Sequence, residues 1–290
     1  MRVEFRLVDV FTEVPFAGNQ LCVVPEPPSE LDTETMQMLA REIGFSETTF
    51  VTAIREGGYD VRIFTPVSEL PFAGHPTLGT AFALAWEGRV TPWVVQTSAA
   101  GDVPVEIDLA RGNGTMRQLP TVFGPEFDDR GAVARAAGLE PDDLVDGLPI
   151  VPVSTGIPHL LVPVRDEGAL RRAVRDDRGC ADVCRRADAA ESVYLFSVRG
   201  DGDVMVRMFD RSSKIGEDPA TGSGAGPLGA YLSRYGLAGM PGHVLVAQGE
   251  LVGRPSFLHV DVAVDGDAFE VRVGGGVRIV GSGAFDVGER

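Results

Sequence analysis

Lysine is almost absent from this 290-residue chain: Lys214 stands alone, and arginine carries the rest of the positive charge. Schiff-base chemistry needs a buried amine with a depressed pKa, and nothing in the sequence around Lys214 supplies one. Cysteine is scarce too. Cys22, Cys180 and Cys184 are too few for a disulfide framework in a chain of this size. Cys180 and Cys184 could share a helix face, yet no nearby histidine or second pair completes a zinc site. They read as small buried residues in a reducing compartment. No apolar run approaches the roughly 18 residues of a membrane span. The opening MRVEFRLVDVF alternates polar and apolar residues and has no signal-peptide core, so a cytoplasmic location is expected.

Positive charge as a whole is outnumbered, 26 basic residues against 42 acidic, for a net charge of -16. General binding to nucleic acid or to an anionic membrane needs the opposite balance. An anionic substrate would have to be met locally, for instance by backbone amides at a helix start. Familiar cofactor motifs are missing. There is no P-loop, no H-E-x-x-H and no paired C-x-x-C; GSGAGP at 222–227 spaces its glycines wrongly for a dinucleotide fingerprint. The surroundings of Ser223, T-G-S-G-A, do not form a nucleophile elbow. Neither cofactor nor metal is expected.

What is present is a globular composition, 44% apolar and 23% charged, long enough for two domains. Strand patterns at 3–10 and 20–24 precede a helix over 31–43, for which Asp32 or Ser29 offers a cap and Gly44 a stop. Strands at 47–53 and 59–65, a Gly/Pro-rich loop at 71–76, a helix at about 77–87 and strands at 90–97, 102–109 and 114–119 follow. A Pro/Gly/Asp-rich stretch over 120–150 then leads into the same order again. It brings paired strands (150–164), helices (167–188), strands (192–197, 203–210), a loop (211–222), a helix (about 224–235) and four closing strands from 243 to 285. The expected domains are 1–125 and 126–290, with the last strand able to return to the first.

The repetition reaches individual residues. HPTLGTA (75–81) aligns without a gap on DPATGSG (218–224), an offset of 143 at every position; RIF (62–64) matches RMF (207–209), and AGNQLCVV (17–24) matches TGIPHLLV (155–162). Such a duplication predicts two equivalent domains related by a pseudo-twofold axis. Proline is favoured in the first turn of a helix, so the two repeated helices are expected to start at equivalent places. If the domains face each other, two positive helix ends converge on one cleft suited to a carboxylate. Gly74, Gly79, Gly222 and Gly224 would let a ligand approach the backbone. His75 and Asp218 hold matching places, as do Thr80 and Ser223. Glu47, in GFSETTFV, would face water on alternation alone; among apolar walls it would instead suit proton transfer.

The blocks VDVFTEVPFAGNQ, FSETTFV, RIFTPVSELPFAGHPTLGTAFAL and GEDPATGSGAGPLGAYL, in this order over about residues 7–232, resemble the signature of the PhzF-like family of phenazine biosynthesis. The resemblance implies an α+β, diaminopimelate-epimerase-like fold: two pseudo-symmetric domains, each a barrel-like sheet around a central helix, usually assembled as a homodimer. It also implies a cofactor-free isomerase of trans-2,3-dihydro-3-hydroxyanthranilate, a small anionic cyclic substrate. By that likeness Glu47 moves a proton from C3 to C1, with His75 and Asp218 as its catalytic partners. Gly74, Gly222 and Ser223 would bind the substrate carboxylate. Gln20 and Gly224-Ala225 depart from the usual pattern without removing a candidate group. An isomerase of another cyclic amino acid or secondary metabolite, and a non-catalytic binder of small molecules, remain as alternatives. A two-cysteine racemase does not fit, because no cysteine sits in the matched loops.

Overall fold

A computed structural model describes residues 1–190, 192–210 and 216–288; Lys214 and part of the loop expected at 211–222 lie outside the described residues. The chain divides into two compact units, Met1–Arg117 together with the segment from Gly274 onward, and Gln118–Val273. The division thus falls before the boundary expected at residue 125, and the end of the chain returns to the first unit. Among the described residues no helix is long and apolar enough to cross a membrane.

The first unit contains β1 (Arg2–Val10), β2 (Asn19–Val24), α1 (Thr33–Ile43), β3 (Glu47–Arg55), β4 (Gly58–Phe64), β5 (Glu69–Leu70), α2 (Gly74–Trp86), β6 (Trp93–Ser98), β7 (Gly101–Asp108) and β8 (Asn113–Arg117). The second contains β9 (Val122–Phe123), α3 (Arg130–Ala136), β10 (Val151–Ser154), β11 (Pro158–Pro163), α4 (Glu167–Arg172), α5 (Asp177–Arg186), β12 (Ser192–Val198) and β13 (Val204–Asp210). It continues with β14 (Glu217–Asp218), α6 (Gly222–Arg234), β15 (Gly242–Gln248), β16 (Ser256–Asp265) and β17 (Ala268–Asp286), whose later residues belong to the first unit.

In the first unit the pairings run β1–β2–β3–β4–β6–β7–β8–β17 and back to β1, so eight strands close on themselves. A closed sheet has no edge left to pair with other chains. Inside it lies α2, which touches six of those strands. Every residue from Gly74 to Ala85 is buried, which is why this helix is apolar all round and built of Ala, Leu, Phe and Gly. Helix α1 lies outside, its Met36, Leu39 and Ala40 packed with Phe50, Phe64, Val3 and Val24. Asp32 caps it through the Thr35 amide, and Gly44 ends it in a left-handed turn with φ 67°, as expected.

The second unit repeats the plan. Strands β10–β11–β12–β13–β15–β16 pair in succession, β11 with β12 and β13 with β15 in parallel. Helix α6, buried from Gly222 to Leu232, packs on β10, β11 and β16. Helices α3, α4 and α5 cover the other side of the sheet, with Val133, Leu170, Val183 and Cys184 among the buried residues there.

The two inner helices begin differently. α2 starts at Gly74, earlier than expected, and its first turn includes His75 and Pro76, whose missing N–H would have had no partner there. α6 starts at Gly222, so Asp218 and Pro219 precede it. The expectation of equivalent starts is therefore corrected. The cause is Gln248: it donates to the Asp218 carbonyl at 2.7 Å and accepts from the Thr221 amide at 3.2 Å. Backbone groups satisfied by a side chain have no need of the helical ladder.

Candidate active site

In β3 alternate side chains face opposite ways. Thr49 points inward, because its hydroxyl lies 2.8 Å from that of Thr80 on α2. Glu47, two residues earlier, therefore turns to the same side, where its side chain is only 15% exposed. The water-facing reading that alternation alone allows is thereby overturned. His75, in the first turn of α2, brings its Nε2 within 3.2 Å of Glu47 Oε2. The two atoms are aligned too poorly to hydrogen-bond as they stand, a common state of catalytic groups before a substrate arrives.

Burial lowers the His75 pKa to about 3, against a smaller opposing pull from a backbone hydrogen bond with Gln20. A helix start also disfavours a cation. The ring is thus neutral, and its contact with Glu47 is not an ion pair. Asn19 Nδ2 lies 3.1 Å from His75 Nδ1. If the amide N–H donates there, the ring proton sits on Nε2, on the side of the carboxyl group. Ser46 in turn donates to Asn19 Oδ1 at 3.3 Å. The first turn of α2 is pinned from below. Gln96 on β6 accepts from the Tyr59 hydroxyl at 2.9 Å and donates to Thr77 Oγ1 at 2.7 Å, and Thr77 donates to the Ala73 carbonyl at 2.8 Å.

The second unit has a corresponding set. Asp218 Oδ2 accepts from Thr221 Oγ1 at 2.5 Å, and Gln248 Nε2 lies 2.9 Å from that same hydroxyl. Ser223, one residue into α6, has its hydroxyl 3.0 Å from His159 Nε2; His159 Nδ1 is 2.8 Å from Ser192 Oγ. Burial lowers the His159 pKa to about 4. Gly74 and Gly222 are each the first residue of a buried helix. The structure thus joins Glu47 to His75 within one unit, and sets Asp218, Gly222 and Ser223 within six residues of each other in the other.

Two glycine expectations fail. A Cβ on Gly79 would lie 2.6 Å from Leu21 Cδ2, and one on Gly224 would lie 2.5 Å from Tyr194 Cε2. These glycines admit neighbouring side chains of the protein, not a ligand. Sequence reasoning also missed Asn19, Gln96, His159, Ser192 and Gln248. For His159 a signal existed: the alignment of AGNQLCVV on TGIPHLLV sets it against Leu21. A groove of about 910 Å³ in the first unit, lined by Arg2, Arg6, Phe82, Trp86, Arg111 and Arg278 among others, includes none of the candidate residues.

Known proteins resemble this chain along its whole length. A family model described as phenazine biosynthesis-like protein (PhzC-PhzF) matches residues 8–283. An uncharacterized isomerase from Deinococcus radiodurans is 34% identical, with 96% of this chain and 93% of that protein covered. The trans-2,3-dihydro-3-hydroxyanthranilate isomerase of Pseudomonas aeruginosa is 33% identical, covering 96% and 95%. A Bacillus anthracis phenazine biosynthesis protein of the PhzF family superposes with a TM-score of 0.87 at 26% identity, over 99% of this chain and 100% of that one. At 14% identity, a probable proline racemase from Agrobacterium radiobacter shares the fold, with a TM-score of 0.70 over 97% and 92% of the two chains. The diaminopimelate-epimerase-like fold is thus established, and the chain is an isomerase belonging to the phenazine biosynthesis-like, PhzC-PhzF family.

Proposed function

We propose that this isomerase converts trans-2,3-dihydro-3-hydroxyanthranilate by a proton transfer in which Glu47 is the base and then the acid. The observation that carries the reading is the half-buried Glu47 carboxyl with Oε2 3.2 Å from the Nε2 of a neutral, buried His75. The Glu47 carboxylate takes the proton from C3 of the ring as the C3–H bond breaks. The electron pair moves through the conjugated ring to C1, and the same proton returns there as the C1–H bond forms. The product is an enol, which relaxes to the ketone. No electrons enter or leave, and no further reactant is consumed. A neutral His75 carrying its proton on Nε2 can steady the carboxylate without neutralising it. On this reading Asp218 holds the ring amino or hydroxyl group, and Gly74, Gly222 and Ser223 bind the carboxylate.

An isomerase of a different cyclic amino acid is the second reading, and one contact favours it. Tyr194 packs against Gly224, beside Ser223, at a position where this chain departs from the family's usual pattern. A ring there can reshape the room left for a substrate.

The test is an NMR time course of the purified protein with trans-2,3-dihydro-3-hydroxyanthranilate in D₂O, beside Glu47→Gln. The native protein is expected to consume the substrate and place some deuterium on the ring. Glu47→Gln is expected to bind with similar affinity but turn over roughly 10²–10⁴-fold more slowly. A folded native protein that leaves this compound untouched, yet isomerises another cyclic amino acid, would move the assignment to the second reading. Undiminished turnover by Glu47→Gln would remove Glu47 from its role.

A further inference from the structure

His159 has no place in the mechanism above, yet it is 3% exposed and spans two hydroxyl groups, Ser192 on β12 and Ser223 on α6. Strand register shows what these residues replace. In the first unit β2 and β3 run parallel with Leu21 level with Glu47. In the second, β11 and β12 run parallel with Leu160 level with Val193, which sets His159 level with Ser192. The hairpins agree: Thr48 pairs with Phe64 and Val193 with Phe209, so Ser192 is the counterpart of Glu47. The second unit has thus exchanged Leu21 and Glu47 for His159 and Ser192. With Ser223 in place of Thr80, the three form one buried polar chain, Ser192–His159–Ser223.

A neutral imidazole between two hydroxyls offers one N–H and one lone pair, so the chain can run either way. If Nε2 accepted from Ser223, the serine proton would be used up, and the hydroxyl could only accept from a ligand. If Nε2–H donates to Ser223 Oγ, the serine proton is free to donate to an anionic oxygen. The second direction needs Ser192 to donate into Nδ1, which a hydroxyl can do.

We propose that His159 is a positioning residue for Ser223, donating Nε2–H to its hydroxyl while Ser192 donates to Nδ1, so that Ser223 is held as a hydrogen-bond donor toward the substrate carboxylate. The carboxylate part of this rests on the proposed function; the direction of the chain does not. Burial keeps the ring neutral, as the relay requires. Tyr194, whose ring centroid lies 6.1 Å away, is pushed toward its neutral form by burial and by Asp218, and so adds no charge.

Two measurements test it. Long-range ¹H–¹⁵N spectra of protein labelled with ¹⁵N-histidine, with His159 assigned by its loss in His159→Gln, should show a neutral Nε2–H ring from pH 6 to 8, a range chosen as about the ordinary histidine titration zone. An Nδ1–H ring or a protonated one overturns the proposal whatever the substrate is. In steady-state kinetics with trans-2,3-dihydro-3-hydroxyanthranilate, His159→Gln and Ser223→Ala should each raise KM about tenfold, the usual worth of a hydrogen bond to a charged group, with kcat changed far less. The double variant should be no worse than Ser223→Ala, because His159 acts only through that hydroxyl; additive losses overturn the proposal. Should His159→Gln not fold, Ser192→Ala removes the donor to Nδ1 alone, and a KM rise of about threefold that vanishes in Ser223→Ala is expected. Native protein that does not turn the compound over defeats the proposed function, while the ring's tautomer still decides the relay.

Discussion

A Cβ on Gly224 would come within 2.5 Å of the Tyr194 ring, so two effects oppose each other in Gly224→Ala. Alanine favours a helix interior over glycine by about 1 kcal/mol. Forcing a methyl into a packed core costs about 1–3 kcal/mol. Tyr194 is fully buried between β11 and β13 and has little room to retreat, so the clash should win. Urea unfolding is expected to show Gly224→Ala less stable by about 1 kcal/mol, the middle of the difference between the two effects. A gain in stability would mean that the ring moves aside. The departure at Gly224 was visible in the sequence, but its cause was not, because Tyr194 lies thirty residues away and meets it only across the interior of the sheet. His159 was legible in part: a polar residue opposite Leu21 in the repeat is odd, but its two serines could be named only from strand register.

At the scale of the element, the first turn of α2 depends on a side chain of β6, the strand that follows it. Gln96 closes a buried chain from Tyr59 through Thr77 to the Ala73 carbonyl, just ahead of His75. Gln248 serves the second unit in the same way at Thr221. Gln96→Leu keeps the bulk but leaves the Tyr59 and Thr77 hydroxyls buried with poorer partners, a loss of about 1–3 kcal/mol. Since the loosened turn carries His75, turnover should fall as well, whereas an exposed change such as Glu106→Gln on β7 should leave both quantities alone. Equal stability and activity in Gln96→Leu would show that the turn is held by backbone alone. Helix positions were readable from composition, because a helix enclosed by sheet has to be small and apolar. Their starts were not readable. The shared proline argued for equal starts, and only Gln248, far along the chain, explains why α6 begins later.

At the scale of the whole molecule, the repeated plan was legible because HPTLGTA (75–81) and DPATGSG (218–224) match without a gap and the flanking elements follow in the same order. The return of the last strand's residues to the first unit was left open, since only its pairing with β1 decides it. Each unit also holds one buried neutral histidine, His75 and His159, at places the repeat does not match, and both should contribute to the response to acid. In the unfolded chain both rings take a proton at the ordinary histidine value of 6.5; in the folded protein they do so only at about 3 and about 4. Below 6.5 the unfolded state therefore binds more protons. The stability present above that pH is lost as pH falls toward the folded values. At pH 5 each ring accounts for about 2 kcal/mol of loss, 1.36 kcal/mol per unit below its unfolded pKa. Together they remove about 4 kcal/mol from a total that is ordinarily about 5–15 kcal/mol. Urea midpoints at pH 7 and pH 5 should show that fall, and His159→Gln, which cannot take up the proton, should lose about 2 kcal/mol less between the two. Carboxylates that titrate in the same range contribute equally to both proteins and cancel in the comparison. An unchanged pH dependence in His159→Gln would mean that His159 is protonated in the folded protein, and would undo the neutral relay with it.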